Sequence, residues 1–167
     1  PLVWIANAQA PFGSMREMIA YARANPGKLA YGSAGAGGVN HLALELFKNR
    51  TGTDILHVPY KGIAPATTDL LGGSIMTLTG TIPAVLPHLK SGKARALAVT
   101  GDKRSLLLPD VPTMKETGAN GTEVYNYWGI VAPAGTPAAI VQRLNGEVQK
   151  FLAQKDVQER LASDGVD

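Results

Sequence analysis

Short apolar runs alternate along this chain with longer segments whose apolar residues recur at helical spacing. The run Leu2 to Ala6 reads as a strand. Ser14 then offers a helix N-cap, and Glu17 completes a capping-box pattern. That helix carries Met18, Ile19 and Ala22 to a stop at Asn25-Pro26-Gly27. A strand over 29–32, a helix from Val39 to Arg50, a strand from Asp54 to Val58 and a helix from Ala64 to Leu71 follow in turn. Gly72-Gly73 ends the last of these. Ile75 to Thr79 is the next strand. Ala84 to Lys90 is the next helix, with Pro83 suited to a first turn and Pro87 weakening the interior. Ala94 to Thr100 closes the series. From residue 29 the order is β-α-β-α-β-α-β, which predicts a parallel α/β layer.

The pattern then breaks. Residues 101–122 hold Pro109, Pro112, Gly118 and Gly121 and read as a connection with one helical turn. Tyr125 to Ala132 is an aromatic-rich strand by composition. Thr136-Pro137 caps an amphipathic helix with Ile140, Val141, Leu144, Val148, Phe151 and Leu152 on one face. A shorter helix, Val157 to Ala162, ends at Gly165. The first strand and this last strand–helix unit stand outside the regular alternation, as in a two-domain chain whose crossings flank one domain.

The densest chemical signal lies where the strand over 29–32 empties into Gly32, Ser33, Ala34, Gly35, Ala36, Gly37 and Gly38, just before a helix. Backbone amides and the positive end of a helix dipole then point at one spot, which favours an anion. No Gly-Lys-Ser/Thr follows, so the loop is not a Walker P-loop. The dinucleotide fingerprint also fails, because Asn40 stands at its third glycine position. Two readings stand: glycines that only permit close strand–helix packing, or a pocket for a carboxylate or other small anion. Ser33 and Asn40 favour the second, since both can donate beside the amides.

Two further loops leave predicted strand ends, Pro59-Tyr60-Lys61-Gly62 and Thr79-Gly80-Thr81, and should converge on the same rim. Tyr60 could line that rim or sit on a surface turn. Thr79 and Thr81 could meet a ligand or bond to backbone. No acidic residue in these loops could hold a ligand ammonium. His41 has Glu45 one helical turn away, which is a poor metal site and a better structural pair. His57 and His88 show no partner spacing. Ser33 as a hydrolase nucleophile rests on a loose likeness to Gly-x-Ser-x-Gly and lacks an obvious acid on a later loop.

Composition narrows the field. The chain has 167 residues, 45% hydrophobic and 17% charged, which reads as globular. No apolar run reaches the roughly 18 residues that suggest a membrane span. The net charge of +3 is scattered and aromatics are only 6%, so no nucleic-acid partner is expected. The absence of cysteine removes disulfides, thiolate metal sites and cysteine nucleophiles.

The segments YGSAGAGGVNHLALELF, HVPYKGIAPATTDLLGG, IPAVLPHLKSGKARALAVTGDKRSLLLPDVPT and WGIVAPAGTPAAIVQRLN resemble the Bug/TctC family. These are periplasmic solute receptors of tripartite tricarboxylate transporters. The resemblance covers essentially the whole chain. It implies an α/β, periplasmic-binding-protein-like lobe of the type II, Venus-flytrap kind, with a central, mostly parallel sheet and part of a second lobe. Residues 1–12 would be a crossover strand from a first lobe, 13–122 the ligand-binding lobe, and 123–167 a crossover strand and helices returning to the first. Such a fragment is not expected to close a complete site by itself. Full-strength binding of an organic acid to these residues alone would contradict that expectation.

The implied ligand is a small organic mono- or dicarboxylate, held largely by backbone amides. The implied partners are the transporter's membrane components, with no direct membrane insertion, cofactor, metal or catalysis. Ser33 to Gly37 and the helix start through Asn40 match the family's carboxylate loop. Gly38 stands where a serine or threonine is common, and Asn40 where a hydroxyl residue is frequent. Tyr60, Thr79, Gly80 and Thr81 complete the expected ligand-binding set. Gly80 occupies the place where amino-acid-binding relatives carry an aspartate, which argues for a carboxylate that is not an amino acid.

Overall fold

The fold comes from a computed structural model that describes residues 1–163. The helix end expected at Gly165 lies outside them. The chain divides into two compact units, Pro1–Asn126 and the residues from Tyr127 onward. The first unit carries strands β1 (Leu2–Asn7), β2 (Ala30–Ser33), β3 (Leu56–Pro59), β4 (Thr77–Thr81) and β5 (Ala94–Val99). Between them lie helices α1 (Met15–Ala24), α2 (Val39–Thr51), α3 (Ile63–Gly72) and α4 (Ile82–Lys90).

The strands form one sheet in the order β3-β2-β4-β1-β5. β2 pairs in parallel with both β3 and β4, whereas β1 is antiparallel to β4 and to β5. Thus β2 to β5 all run one way and β1 alone runs against them. The parallel layer expected from residue 29 is present, and the sheet as a whole is mixed. The expectation that the first strand stands outside this core is overturned, since β1 sits between β4 and β5. All six of its residues are buried, as a strand covered on both faces requires.

Alternation along β1 sorts the core into two layers. Trp4 and Ala6 face Met15 and Met18 of α1 and Leu44 and Phe47 of α2. Val3 and Ile5 face Ala66 and Leu70 of α3 and Ile82 and Val85 of α4. The helices therefore change face between α2 and α3. The chain leaves β2 for β3 on one side and returns past it to β4 on the other, so β2 and β4 flank a topological switch point.

Local signals set these elements. Ser14 Oγ accepts from the Glu17 amide at 3.2 Å, and Glu17 Oε2 accepts from the Gly13 amide at 2.6 Å. Arg23 donates through Nε and Nη2 to the Thr51 carbonyl at the α2 C-terminus, at 3.2 and 2.7 Å. α4 tolerates Pro87 in a helix that also has proline in its first turn. Gly32 allows β2 and α3 to approach closely, because a Cβ there would lie 2.4 Å from Ile75 Cδ1 and 3.3 Å from Ala66 Cβ. Residues 101–122 are a connection with a single 3-10 turn, Lys115–Thr117.

In the second unit, α5 (Ala138–Leu152) and α6 (Lys155–Ser163) form as the periodicity predicts. The expected Thr136 cap does not form: Pro137 holds the cap position of α5 with no side-chain cap, and the Thr136 hydroxyl donates back to the Pro133 carbonyl at 2.8 Å. The strand expected over Tyr125 to Ala132 is also absent. A strand is defined by its ladder, and among the described residues this segment belongs to none of the ladders; Tyr125 is held instead through its hydroxyl, which donates to Asp102 Oδ2 at 2.7 Å. Tyr127, Trp128, Ile130 and Val131 are exposed there, and the apolar face of α5 is more than a third exposed throughout.

Candidate anion site at the ends of three parallel strands

β3, β2 and β4 are neighbours running in one direction, so their C-terminal ends lie along one edge. A helix follows each, across a short loop after β2 and β3 and directly after β4. None of these helices has a side-chain cap: Gly38 precedes α2, Gly62 precedes α3 and Thr81 precedes α4. The first-turn amides of a helix have no intrahelical acceptor. Three sets of such donors, with the positive ends of three dipoles, therefore share this edge. α2 offers the fullest set, through Val39, Asn40 and His41. Pro65 and Pro83 each remove one donor from α3 and α4.

The loop between β2 and α2 is built as a shell. Ala34, Ala36, Gly37 and Gly38 are exposed, whereas Ser33 is fully buried. Ser33 Oγ accepts from the Gly35 amide at 3.2 Å and can donate to the Gly35 carbonyl at 3.1 Å, which curls the loop around it. Gly35 and Gly37 take φ of 143° and 79°, a region that disfavours side chains. The loop after β3 is tied to this one, with Tyr60 N donating to Ser33 O at 3.0 Å and Gly62 N to Ala34 O at 3.1 Å.

Several side chains named from the sequence as ligand donors are turned inward. Asn40 is buried, and its Nδ2 donates to Thr79 O at 2.7 Å and Thr79 Oγ1 at 2.9 Å. The Tyr31 hydroxyl donates to the Asn40 carbonyl at 2.8 Å, so at 2.6 Å Thr79 Oγ1 donates its proton to Tyr31. Burial pushes the Tyr31 phenol well above its ordinary value. Asn40 and Thr79 thus lock α2 to the end of β4. The Tyr60 hydroxyl donates to Asp69 Oδ2 at 2.7 Å. Desolvation and that carboxylate push its pKa up to about 12.

Thr79, Gly80 and Thr81, expected as a loop, are the last residues of β4, and Thr81 leads straight into α4. Gly80 is buried, and a Cβ there would lie 2.8 Å from Val85 Cγ1. What remains open along the edge is mostly backbone.

His57 is the residue the sequence reading passed over. Its Nε2 lies 2.6 Å from Ser33 Oγ, and its ring stacks on His41 with centroids 4.0 Å apart and planes 10° from parallel. Parallel register pairs His57 with Tyr31, two residues before Ser33, so strand alternation brings His57 and Ser33 to one face. Only knowledge that β3 neighbours β2 could have exposed this.

At the opposite strand ends a cleft of about 360 Å3 is lined by Asn7, Leu71, Gly72, Gly92 and Lys93 among others. Helix C-termini face it, so it is unsuited to an anion. Among the described residues no group of three His, Asp or Glu side chains could hold a metal ion.

An α/β unit with a switch point and an amide-lined edge of this kind is the architecture of the periplasmic binding proteins. The profile of the tripartite tricarboxylate transporter family receptor, TctC, matches residues 1–167, and the chain belongs to that family. It is similar to a solved R. palustris protein with adipate, at 39% identity and TM-score 0.88, covering 99% of this chain and 55% of that one. It is similar to MatC from Rhodopseudomonas palustris with bound malate, at 33% identity and TM-score 0.86, covering 99% and 56%. The periplasmic binding protein BugD matches at 36% identity and TM-score 0.84, covering 98% and 55%. The chain spans about half the length of the curated relatives it matches, BugT of Bordetella pertussis among them.

Proposed function

We propose that this chain forms the carboxylate-gripping part of an extracytoplasmic solute receptor. The observation that carries the reading is the convergence of three uncapped helix N-termini on one sheet edge. A carboxylate placed there meets amides whose alternative acceptor is water, and the dipoles favour its charge. The ligand is a small mono- or dicarboxylate, in keeping with the adipate and malate of the two solved neighbours. Ala34 to Gly37 and the first turn of α2 would contact it, with the Tyr60 loop and the Thr79–Thr81 strand end as walls. Ser33, Asn40 and Thr79 would hold those amides in place.

In this reading the protein is periplasmic and does no catalysis. It captures its ligand, closes by a hinge motion of two lobes and delivers the ligand to the membrane components of a tripartite tricarboxylate transporter. Residues 1–12 and 123–167 would be the crossings to the other lobe, which suits a match to only half of each relative. No helix among the described residues is long and apolar enough to cross a membrane.

The competing hydrolase reading has one point in its favour, the 2.6 Å contact between Ser33 and His57. Against it, Ser33 is fully buried, and the nearby carboxylate of Glu45 lies against His41 instead, at 3.7 Å. Calorimetry of the full-length protein with mono-, di- and tricarboxylates, beside an ester-hydrolysis assay, separates the two. The receptor reading expects saturable binding of at least one carboxylate and no ester turnover dependent on Ser33. Turnover lost in Ser33→Ala, with no carboxylate bound, would overturn it.

A further inference from the structure

The glycine loop is supported from below by two imidazoles, and the bond from the Gly37 amide fixes which proton His41 carries. His41 is the third residue of α2, and its Nδ1 accepts from the Gly37 amide at 3.0 Å. An acceptor must be unprotonated, so the ring proton sits on Nε2, the atom 3.7 Å from Glu45 Oε1. This reproduces half of a capping box, in which the third helical residue reaches back to an amide before the helix. The neighbouring Gly35 amide is held by Ser33 Oγ, which in turn lies 2.6 Å from His57 Nε2. With His57 neutral and protonated at Nδ1, the Ser33 hydroxyl can donate to Nε2 and keep its lone pairs for Gly35. The two inward amides of the loop are thus each tied to one ring of a stacked pair.

We propose that His41 and His57 are positioning residues that hold the Gly35–Gly37 turn in its binding arrangement, and that His41 does so only as a neutral imidazole. The carboxylate affinity consequence rests on the receptor reading above; the positioning of the loop does not. A proton on His41 Nδ1 would face the Gly37 N–H and expel it. A proton on His57 Nε2 would make that ring the donor to Ser33 Oγ and send the hydroxyl to the Gly35 carbonyl, which keeps the turn tied. Parallel rings 4.0 Å apart disfavour charge on both at once.

The charged groups facing the pair are Glu45 and Lys48 of α2. Lys48 Nζ contacts both Glu45 oxygens at 2.9 and 3.1 Å, which offsets the pull of Glu45 on a proton. Desolvation first, and then His41, hold the His57 imidazole below its ordinary value, with Lys48 acting in the same sense and Glu45 opposing.

Two readouts test this. In the ligand-free chain, the Gly37 amide resonance should shift as His41 gains a proton between about pH 8 and about pH 5. In the full-length protein, adipate and malate affinity should fall about three- to tenfold over that range, the scale of one lost hydrogen bond. His41→Gln keeps an acceptor at the helix start but cannot titrate. It should retain the affinity seen at the upper pH and flatten the profile. His41→Leu should lose affinity by a similar factor at every pH.

A Gly37 resonance indifferent to His41 protonation would overturn the inference. So would an unchanged affinity and pH profile in His41→Leu. If the unaltered protein binds no carboxylate at any pH, the receptor reading fails, and the resonance titration still decides the positioning role.

Discussion

Thr79 shows how a side chain named for a ligand becomes part of the frame instead. Its hydroxyl and carbonyl both accept from Asn40, and the hydroxyl donates to Tyr31, so nothing of it is left for a solute. From the sequence, Asn40 and Thr79 were polar residues at an anion-binding rim, and that much was legible. Their partners were not, because the contact joins residues 39 positions apart across a sheet order that no local pattern specifies. Asn40→Asp keeps the shape but removes the donor and sets a carboxylate against a buried carbonyl. We expect it to cost about 1–3 kcal/mol, the usual range for an unsatisfied buried group. Urea denaturation of the variant checks this. Carboxylate binding should weaken with it, because the new charge repels the ligand.

Elements meet at the rim through a few side-chain ties, and the one between Tyr60 and Asp69 has a pH signature. It joins the loop after β3 to the body of α3. Tyr60 loses its proton with more difficulty in the fold than in the unfolded chain, at about 12 against an ordinary 10.0. Between those values the unfolded state binds fewer protons, so stability falls as pH rises. The contribution is full below the ordinary value and gone above the shifted one. Tyr60→Phe should therefore show a shallower loss of thermal stability across that alkaline window, measured by circular dichroism. Periodicity had already located β2, α2, α3 and α5 to within two residues. It missed the place of β1, because a strand buried on both faces and an isolated apolar run read alike. It also gave Tyr125 to Ala132 a strand, since propensity reports a readiness to pair and not the presence of a partner.

At the scale of the molecule, four strands run one way with a fifth set against them, and two helices cover each face. That arrangement turns three separate loops into one amide-rich edge. Its anion preference comes from backbone and dipoles, which is why the glycine pattern announced it while the individual donors could be misassigned. The most direct measurement is the titration of adipate into the isotope-labelled chain, followed by backbone amide shifts, which register even weak binding. Adipate-induced shifts confined to Ser33–His41, Tyr60–Ala64 and Thr79–Ala84 are the predicted result. Saturable shifts centred on the cleft around Asn7 and Lys93, with the glycine loop unmoved, would contradict the account.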